Sequence, residues 1–125
     1  MKFLEARNMV IFWMLGFAGS FVIQTVLQSW FAENSYWGAN VGWQNEIAIW
    51  NLGVLITLAG VLRSKANVES YVLPGLAVLS LCFGTNHVVA LLGSPTSLSN
   101  WAGAAMNGLA VVLYAFHLLA TRKSA

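Results

Sequence analysis

The chain has 125 residues, of which 58% are hydrophobic and only 8% are charged. An ordinary soluble domain carries about 25% charged residues, so this composition excludes one and predicts an integral membrane protein whose first partner is the lipid bilayer. The net charge of +2 is too small and too scattered to indicate a nucleic-acid partner. Cys82 is the single cysteine, which excludes an internal disulfide and a metal-binding cysteine pair.

Four apolar segments are long enough to cross a bilayer, whose hydrocarbon core of roughly 30 Å takes about 20 helical residues. They are residues 9–30, 43–62, 71–93 and 101–120. We predict helices because lipid cannot satisfy open backbone groups and the segments are too long for barrel strands. The first segment exceeds the usual signal-peptide core and is followed by no convincing cleavage site, so we expect it to be retained. The sequence thus predicts a single membrane domain over residues 1–125.

The basic residues predict the orientation of these spans. They lie before the first span, between the second and third, and after the fourth: Lys2, Arg7, Arg63, Lys65, Arg122 and Lys123. The positive-inside rule then predicts a multi-pass protein of a bacterial inner membrane with both termini cytoplasmic. Trp30, Trp37, Trp43 and Trp101 are predicted at the opposite interface. Short connections predict an all-α, antiparallel up-down bundle of four helices, and residues 31–42 predict an ordered interfacial cap.

Antiparallel packing of these spans brings most of their polar side chains to one depth, in the outer half of the membrane. On the second span, Glu46, Trp50, Gly53, Thr57 and Gly60 share one helical stripe, while Gln44 and Asn51 share another, and we predict that both face inward. The candidate ligand-binding residues are Gln24, Gln44, Glu46, Trp50, Asn51, Asn86, His87 and Asn107. Helix packing through interhelical hydrogen bonds, worth about 0.6 kcal/mol each, is the alternative for Gln24, Asn51 and Asn107.

Glu46 and His87 are the residues of most chemical interest. Only 16 residues separate Glu46 from Arg63, about 24 Å of helix, which draws the carboxylate to the outer margin of the hydrocarbon. An intramembrane carboxylate indicates function, whereas an acidic residue near a helix start also favours the helix dipole; both interpretations stay open. We predict that His87, at comparable depth, approaches Glu46 with Asn86 or Asn107 in support. A histidine satisfied by another helix is the alternative.

The sequence requires no cofactor and favours a non-catalytic protein. His87 and His117 are predicted about 20 Å apart, which excludes one haem held by both within a subunit. A pigment or metal held by a single histidine stays open, as does a metal ligated by Glu46 and His87. Nucleotide-binding loops, metalloprotease motifs and nucleophile elbows are absent from the sequence, as is aspartate. An acid–base enzyme using Glu46 and His87 remains an alternative.

Two segments carry a family resemblance: "WQNEIAIWNLG" at residues 43–53, with its acidic residue before an Asn and a Gly, and "GTNHVVALL" at residues 84–92. With them, the chain resembles small four-helix bacterial membrane proteins assigned to domains of unknown function. The resemblance covers the arrangement of most of the chain. It implies the fold and transfers neither an activity nor a site residue.

Two functions follow as hypotheses. The first is an accessory or assembly subunit of a larger membrane complex, bound to other membrane chains or to itself, because the spans leave little room for an extramembrane domain. The alternative is a small outward-facing binding protein or carrier for an amphipathic or lipid-like ligand, since polar groups below a Trp-rich rim are typical of such a pocket.

Overall fold

The computed structural model describes residues 4–122, in which all the long elements are helices. They are α1 (Ala6–Thr25), α2 (Gln28–Asn34), α3 (Val41–Arg63), α4 (Glu69–Gly93) and α5 (Leu98–Arg122). By length and composition, α1, α3, α4 and α5 could each cross a membrane. The predicted all-helical class with four candidate spans is therefore confirmed. Lys2 and Lys123, which contributed to the predicted orientation, lie outside the described residues.

The first predicted span is divided in the structure, because α1 ends at Thr25 and α2 begins only at Gln28. Leu27 leaves the helical conformation, with φ −110° and ψ 32°. The side-chain amide of Gln28 donates to the backbone carbonyl of Gln24 at 2.8 Å, so it binds an oxygen that a continuing helix would use for its own backbone. The chain turns here, and residues 28–40, which we call the cap, lie across one end of the molecule.

The long helices form two pairs joined through α1. α3 packs along α1, α4 packs along α5, and α1 makes smaller contacts with both α4 and α5. We predicted that every consecutive pair of spans packs side by side, which is wrong for α3 and α4, because α1 lies between them. The indole N–H of Trp13 on α1 donates to Ser80 on α4 at 2.9 Å, and both residues are buried. Trp13 thus joins α1 to α4 through a buried hydrogen bond.

Polar contacts gather the helix termini at one end of the molecule. The Arg7 guanidinium donates to the carbonyl of Leu62 at 2.9 Å and lies 3.4 Å from the Glu69 carboxylate. Nδ1 of His117 lies 2.6 Å from the carbonyl oxygen of Leu4. The start of α1 therefore meets the end of α3, the start of α4 and the end of α5. We call this the basic end and the opposite one the cap end.

The apolar core lies towards the basic end. It consists of side chains from all four long helices and the residues before α1: Leu4, Met9, Val10, Trp13, Leu58, Leu73, Leu76, Ala77 and Ala110. Towards the cap end, polar side chains make many of the contacts between helices. The outer surfaces of the long helices carry many exposed apolar side chains. The polar groups that the sequence singles out are therefore placed away from the apolar core, at the cap end.

Candidate functional site

A first group of polar side chains joins α1 and α2 to α3, and we call it the amide cluster. Its members are Ser20, Gln24, Gln28, Gln44, Asn45 and Asn51. The Gln28 amide donates to the Asn45 side chain at 2.9 Å, and the Gln44 amide donates to the backbone carbonyl of Gln28 at 3.2 Å. The Asn51 amide donates to the hydroxyl of Ser20 at 2.8 Å. These bonds cross between helices, as expected of polar residues that hold a membrane bundle together.

Three of the predicted site residues belong to the amide cluster. Gln24, Gln44 and Asn51 are buried, and Gln44 is only 1% exposed. The side-chain oxygen of Gln24 is buried and has no hydrogen-bond partner among residues 4–122. Asn51 therefore bonds to α1 and Gln44 to the start of α2, whereas the side-chain oxygen of Gln24 stays unpaired.

A second group lies between α4, α5 and the cap, and we call it the histidine cluster: Trp37, His87, Asn100 and Gly103. His87 is half-buried, and its ring packs edge-on against the indole of Trp37, with 5.2 Å between ring centroids. Gly103 lies directly against the imidazole, because a Cβ atom added there would overlap the ring. The predicted site residue Asn107 lies one turn further along α5 and donates to the carbonyl of Gly103 at 2.8 Å.

The histidine cluster contains polar atoms that the described part of the chain leaves unsatisfied. Asn100 is 0% exposed, and its side chain lies close enough to His87 for the amide and the imidazole to interact. The amide nitrogen and oxygen of Asn100 and Nδ1 of His87 are nevertheless buried without a well-oriented hydrogen bond in residues 4–122. An unsatisfied buried polar group costs about 1–3 kcal/mol. Such groups in native proteins call for a specific explanation, such as bound water or an ion.

Asn100 is a residue that the sequence analysis missed. A signal for it is present in the sequence, because Asn100 precedes Gly103 by three residues and Asn107 by seven, so the three lie on one helical face. The span predicted over residues 101–120 begins too late to include Asn100, since α5 begins at Leu98.

Aromatic rings connect the histidine cluster to the surface of the cap end. Phe31, Trp37 and Trp43 lie with ring centroids 5.9–6.3 Å apart. Trp37, Trp43 and Asn40 line an open groove of about 320 Å³. Trp37 therefore both lines the groove and packs against His87.

Glu46, Trp50 and Asn86 point away from both clusters. All three are exposed, and Trp50 is 56% exposed. The buried face of α3 contains Gln44 and Asn51 instead. The predicted approach of Glu46 to His87 is not observed, because Glu46 lies on the free face of α3 whereas His87 faces the cap and α5. Burying the neutral amides against α1 avoids the larger cost of burying the Glu46 carboxylate.

The described residues contain no group of three or more His, Cys, Asp or Glu side chains that could hold a metal ion. His117 lies at the basic end, where it contacts the Leu4 carbonyl, far from the histidine cluster at the cap end. The imidazole of His87 is therefore accompanied by amide and indole groups. Hydrogen bonding and ring packing are the chemistry that this arrangement supports.

The fold and its two polar clusters define an all-helical protein with four candidate membrane spans and a capped polar end. Comparisons of the chain with protein-family models, with curated protein sequences and with solved structures gave no match.

Proposed function

We propose that the protein is a non-catalytic accessory or assembly subunit of a larger membrane complex, and that the free face of α3 binds a transmembrane helix of a different chain. The observation that carries this proposal is an exposed stripe on α3 that combines a carboxylate with small residues. We call it the α3 stripe, and it consists of Glu46, Trp50, Gly53, Thr57 and Gly60, all of them exposed.

The geometry of the α3 stripe suits a closely packed helix. Its residues recur at intervals of three and four, so they lie along one face of α3. A Cβ atom added to Gly53 or Gly60 would meet nothing within 4 Å. Thr57 between them turns its hydroxyl to its own helix, donating to the Gly53 carbonyl at 3.0 Å. Small residues at this spacing let membrane helices approach each other closely.

Glu46 supports a partner with a different sequence over a second copy of this chain. In residues 4–122, no side chain forms an ion pair or hydrogen bond with its carboxylate, and a charge facing lipid is unfavourable. The sequence has no Lys or Arg between Arg7 and Arg63 or between Lys65 and Arg122. A second copy in the same orientation therefore has no Lys or Arg at its cap end to pair with Glu46, and its His87 is packed against Trp37 and Gly103. A partner helix with a Lys or Arg near that depth provides one.

The orientation proposed for this subunit follows the positive-inside rule. Arg7, Arg63 and Arg122 all lie at helix ends on the basic end of the molecule. Basic residues are retained on the cytoplasmic side of bacterial membranes, so we propose that both termini face the cytoplasm of an inner membrane and the cap faces outward. Glu46 and its partner then lie near the outer interface.

Photocrosslinking in native membranes tests the proposal directly. A photoreactive amino acid is placed at Thr57 in the α3 stripe and, as a matched control, at Val112, which is exposed on α5. We expect position 57, and not position 112, to crosslink one chain at high yield, through a transmembrane peptide with a basic residue near its outer end. A crosslink only to a second copy, or equal crosslinking from both positions, contradicts the proposal.

Substitution of the two exposed glycines tests whether close approach matters. Gly53→Leu combined with Gly60→Leu fills the α3 stripe, whereas Gly108→Leu adds the same side chain to α5, where a Cβ also meets nothing within 4 Å. We expect the double variant to lose the crosslinked partner and Gly108→Leu to retain it. Retention of the partner by both variants excludes the α3 stripe as the interface.

A further inference from the structure

The histidine cluster is a poor arrangement if packing is its only role. Three buried side-chain atoms on Asn100 and His87 form no well-oriented hydrogen bond within the described chain, although the neighbouring Asn107 and the more distant Asn51 both form such bonds. A leucine at position 100 would fill a similar volume without leaving an amide unpaired. A fully buried asparagine at this position is accounted for when its amide binds a group outside this chain.

The chemistry of these atoms describes a neutral ligand. Asn100 supplies both N–H donors and a carbonyl acceptor, and Nδ1 of His87 donates or accepts according to its tautomer. The acidic residues of the cap end, Glu33 and Glu46, are both exposed, and the sequence places no Lys or Arg there. A ligand with carbonyl or hydroxyl groups matches this set of partners, whereas a charged ligand finds no opposite charge beside Asn100.

The approach to the cluster is lined by aromatic rings. Trp37 and Trp43 form the walls of the 320 Å³ groove, with their ring centroids 5.9 Å apart and the rings tilted by 60°. Trp37 lies in the non-helical part of the cap, next to Gly38, whose φ of 67° suits glycine. Its indole can therefore move off His87 without moving a helix. Flat aromatic walls favour the stacking of another flat ring.

We propose that the histidine cluster is a binding site for a neutral, lipid-soluble ring compound bearing carbonyl or hydroxyl groups, the chemistry of a quinone or quinol. Its ring lies in the groove against Trp43 and displaces Trp37 from His87. One ring oxygen accepts a hydrogen bond from the Asn100 amide and contacts Nδ1 of His87. The sequence predicted a lipid-like ligand beside Glu46, whereas the site proposed here binds such a ligand through Asn100. This site is separate from the α3 stripe.

Binding of decylubiquinone to the full-length protein in lipid nanodiscs tests the proposal. The titration follows tryptophan fluorescence, which a quinone bound against Trp43 quenches, with decanol as a probe that has the chain without the ring. We expect saturable quenching by decylubiquinone that an equal concentration of decanol does not reverse. Absence of saturable quenching by decylubiquinone, or its reversal by decanol at equal concentration, overturns the proposal and leaves bound water as the partner of Asn100.

Two asparagine variants locate the site. Asn100→Leu removes the buried amide, and Asn86→Leu is the matched control, since Asn86 is exposed and adjacent to His87 in sequence. We expect Asn100→Leu to weaken decylubiquinone binding by about tenfold or more and Asn86→Leu to leave it unchanged. The same dissociation constant for Asn100→Leu and wild type overturns the proposal. Photocrosslinking from position 57 should persist in Asn100→Leu. Loss of quinone binding can therefore be distinguished from loss of the proposed subunit interface.

If Asn100→Leu loses binding, a measurement of its melting temperature shows whether the variant is still folded. Without ligand, we expect the melting temperature of Asn100→Leu to equal or exceed that of wild type, because the substitution removes an unpaired buried amide. If it is lower instead, Trp37→Phe provides a second variant at the edge of the groove. We expect Trp37→Phe to bind decylubiquinone with altered affinity, and unchanged binding by a folded Trp37→Phe protein contradicts the proposed location.

Discussion

Gly103 determines where the imidazole of His87 can lie. Because a Cβ atom at position 103 would overlap the ring, α4 and α5 can pair at this level only with glycine opposite the histidine. The neighbouring Gly84 shows the same close approach in milder form, since a Cβ there would lie 3.2 Å from Cβ of Asn107. The two glycines therefore set the distance between α4 and α5 at the cap end.

Gly103→Ala tests this packing. We expect it to lower the free energy of unfolding by about 1–3 kcal/mol, the usual cost of an inserted methyl group that displaces a packed side chain. Gly108→Ala is the control on the same helix, where the added Cβ meets nothing within 4 Å, and we expect it to be neutral or slightly stabilising. Unfolding in increasing dodecyl sulfate, followed by circular dichroism, measures both. Equal effects of the two substitutions contradict the close contact with His87.

Ser80→Ala tests the contact that holds α1 against α4. The substitution leaves the buried indole N–H of Trp13 without its acceptor, at present 2.9 Å away. We expect a loss of stability of about 0.6 kcal/mol and at most about 1.7 kcal/mol, the range of interhelical hydrogen bonds in membrane bundles. A double-mutant cycle with Trp13→Phe isolates the bond. Ser80→Ala is made once in the wild type and once in Trp13→Phe, where the indole N–H is already absent, and the difference between the two losses is the coupling energy. A coupling energy of zero shows that the bond does not stabilise the pair.

At the scale of the helices, the sequence predicts the spans better than it predicts their faces. Length and apolar composition are enough to identify a span, since the bilayer sets both. The inward face is harder to predict because lipid and protein interior are both apolar, so hydrophobicity does not distinguish them. α3 carries two polar stripes, and only packing against α1 decides that Gln44 and Asn51 face inward while Glu46 faces outward.

The candidate site was predictable only in part for the same reason. His87 and Asn107 were identified because polar residues at one depth stand out in an apolar sequence, and both lie at or beside the histidine cluster. Their partners were not predictable, because the cap places Trp37 on His87 through a turn that periodicity does not describe. The break before α2 was not predictable either, since a side-chain bond from Gln28 to the backbone carbonyl of Gln24 accompanies it.

Gln28→Ala tests the role of that side chain in holding the cap. It removes the local bond to the Gln24 carbonyl and the interhelical bond to Asn45 on α3, the second worth about 0.6 kcal/mol. We expect faster hydrogen–deuterium exchange in residues 28–40 and unchanged exchange in α5. Thr57→Ala is the control, because the Thr57 hydroxyl bonds only within its own helix. Unchanged exchange of the cap in Gln28→Ala shows that other contacts hold it.

At the scale of the whole molecule, the two helix pairs are linked at the basic end by polar contacts of one side chain, in addition to the apolar core. Arg7 of α1 binds the carbonyl of Leu62 at the end of α3 and the carboxylate of Glu69 at the start of α4. Glu69 is buried and lies in the first turn of α4, where a negative charge favours the helix dipole. One side chain therefore fixes α1 to both helices that do not pack against each other.

Arg7→Gln is expected to separate the two pairs more easily at the basic end. The substitution removes the hydrogen bond to the Leu62 carbonyl and the ion pair with the Glu69 carboxylate, and because Arg7 is 56% exposed we expect a loss of about 0.5–1.5 kcal/mol, the net value of a typical hydrogen bond. Arg63→Gln removes the same charge from an exposed side chain near the same end and should change stability far less, as exposed charges contribute about 0–1 kcal/mol. Unfolding in dodecyl sulfate compares the two.

Because the loss of stability in Arg7→Gln arises from Glu69 as well as Leu62, adding Glu69→Gln to Arg7→Gln should recover part of it. Equal destabilisation by Arg7→Gln and Arg63→Gln, or no recovery in the double variant, would show that net charge rather than this contact holds the pairs together.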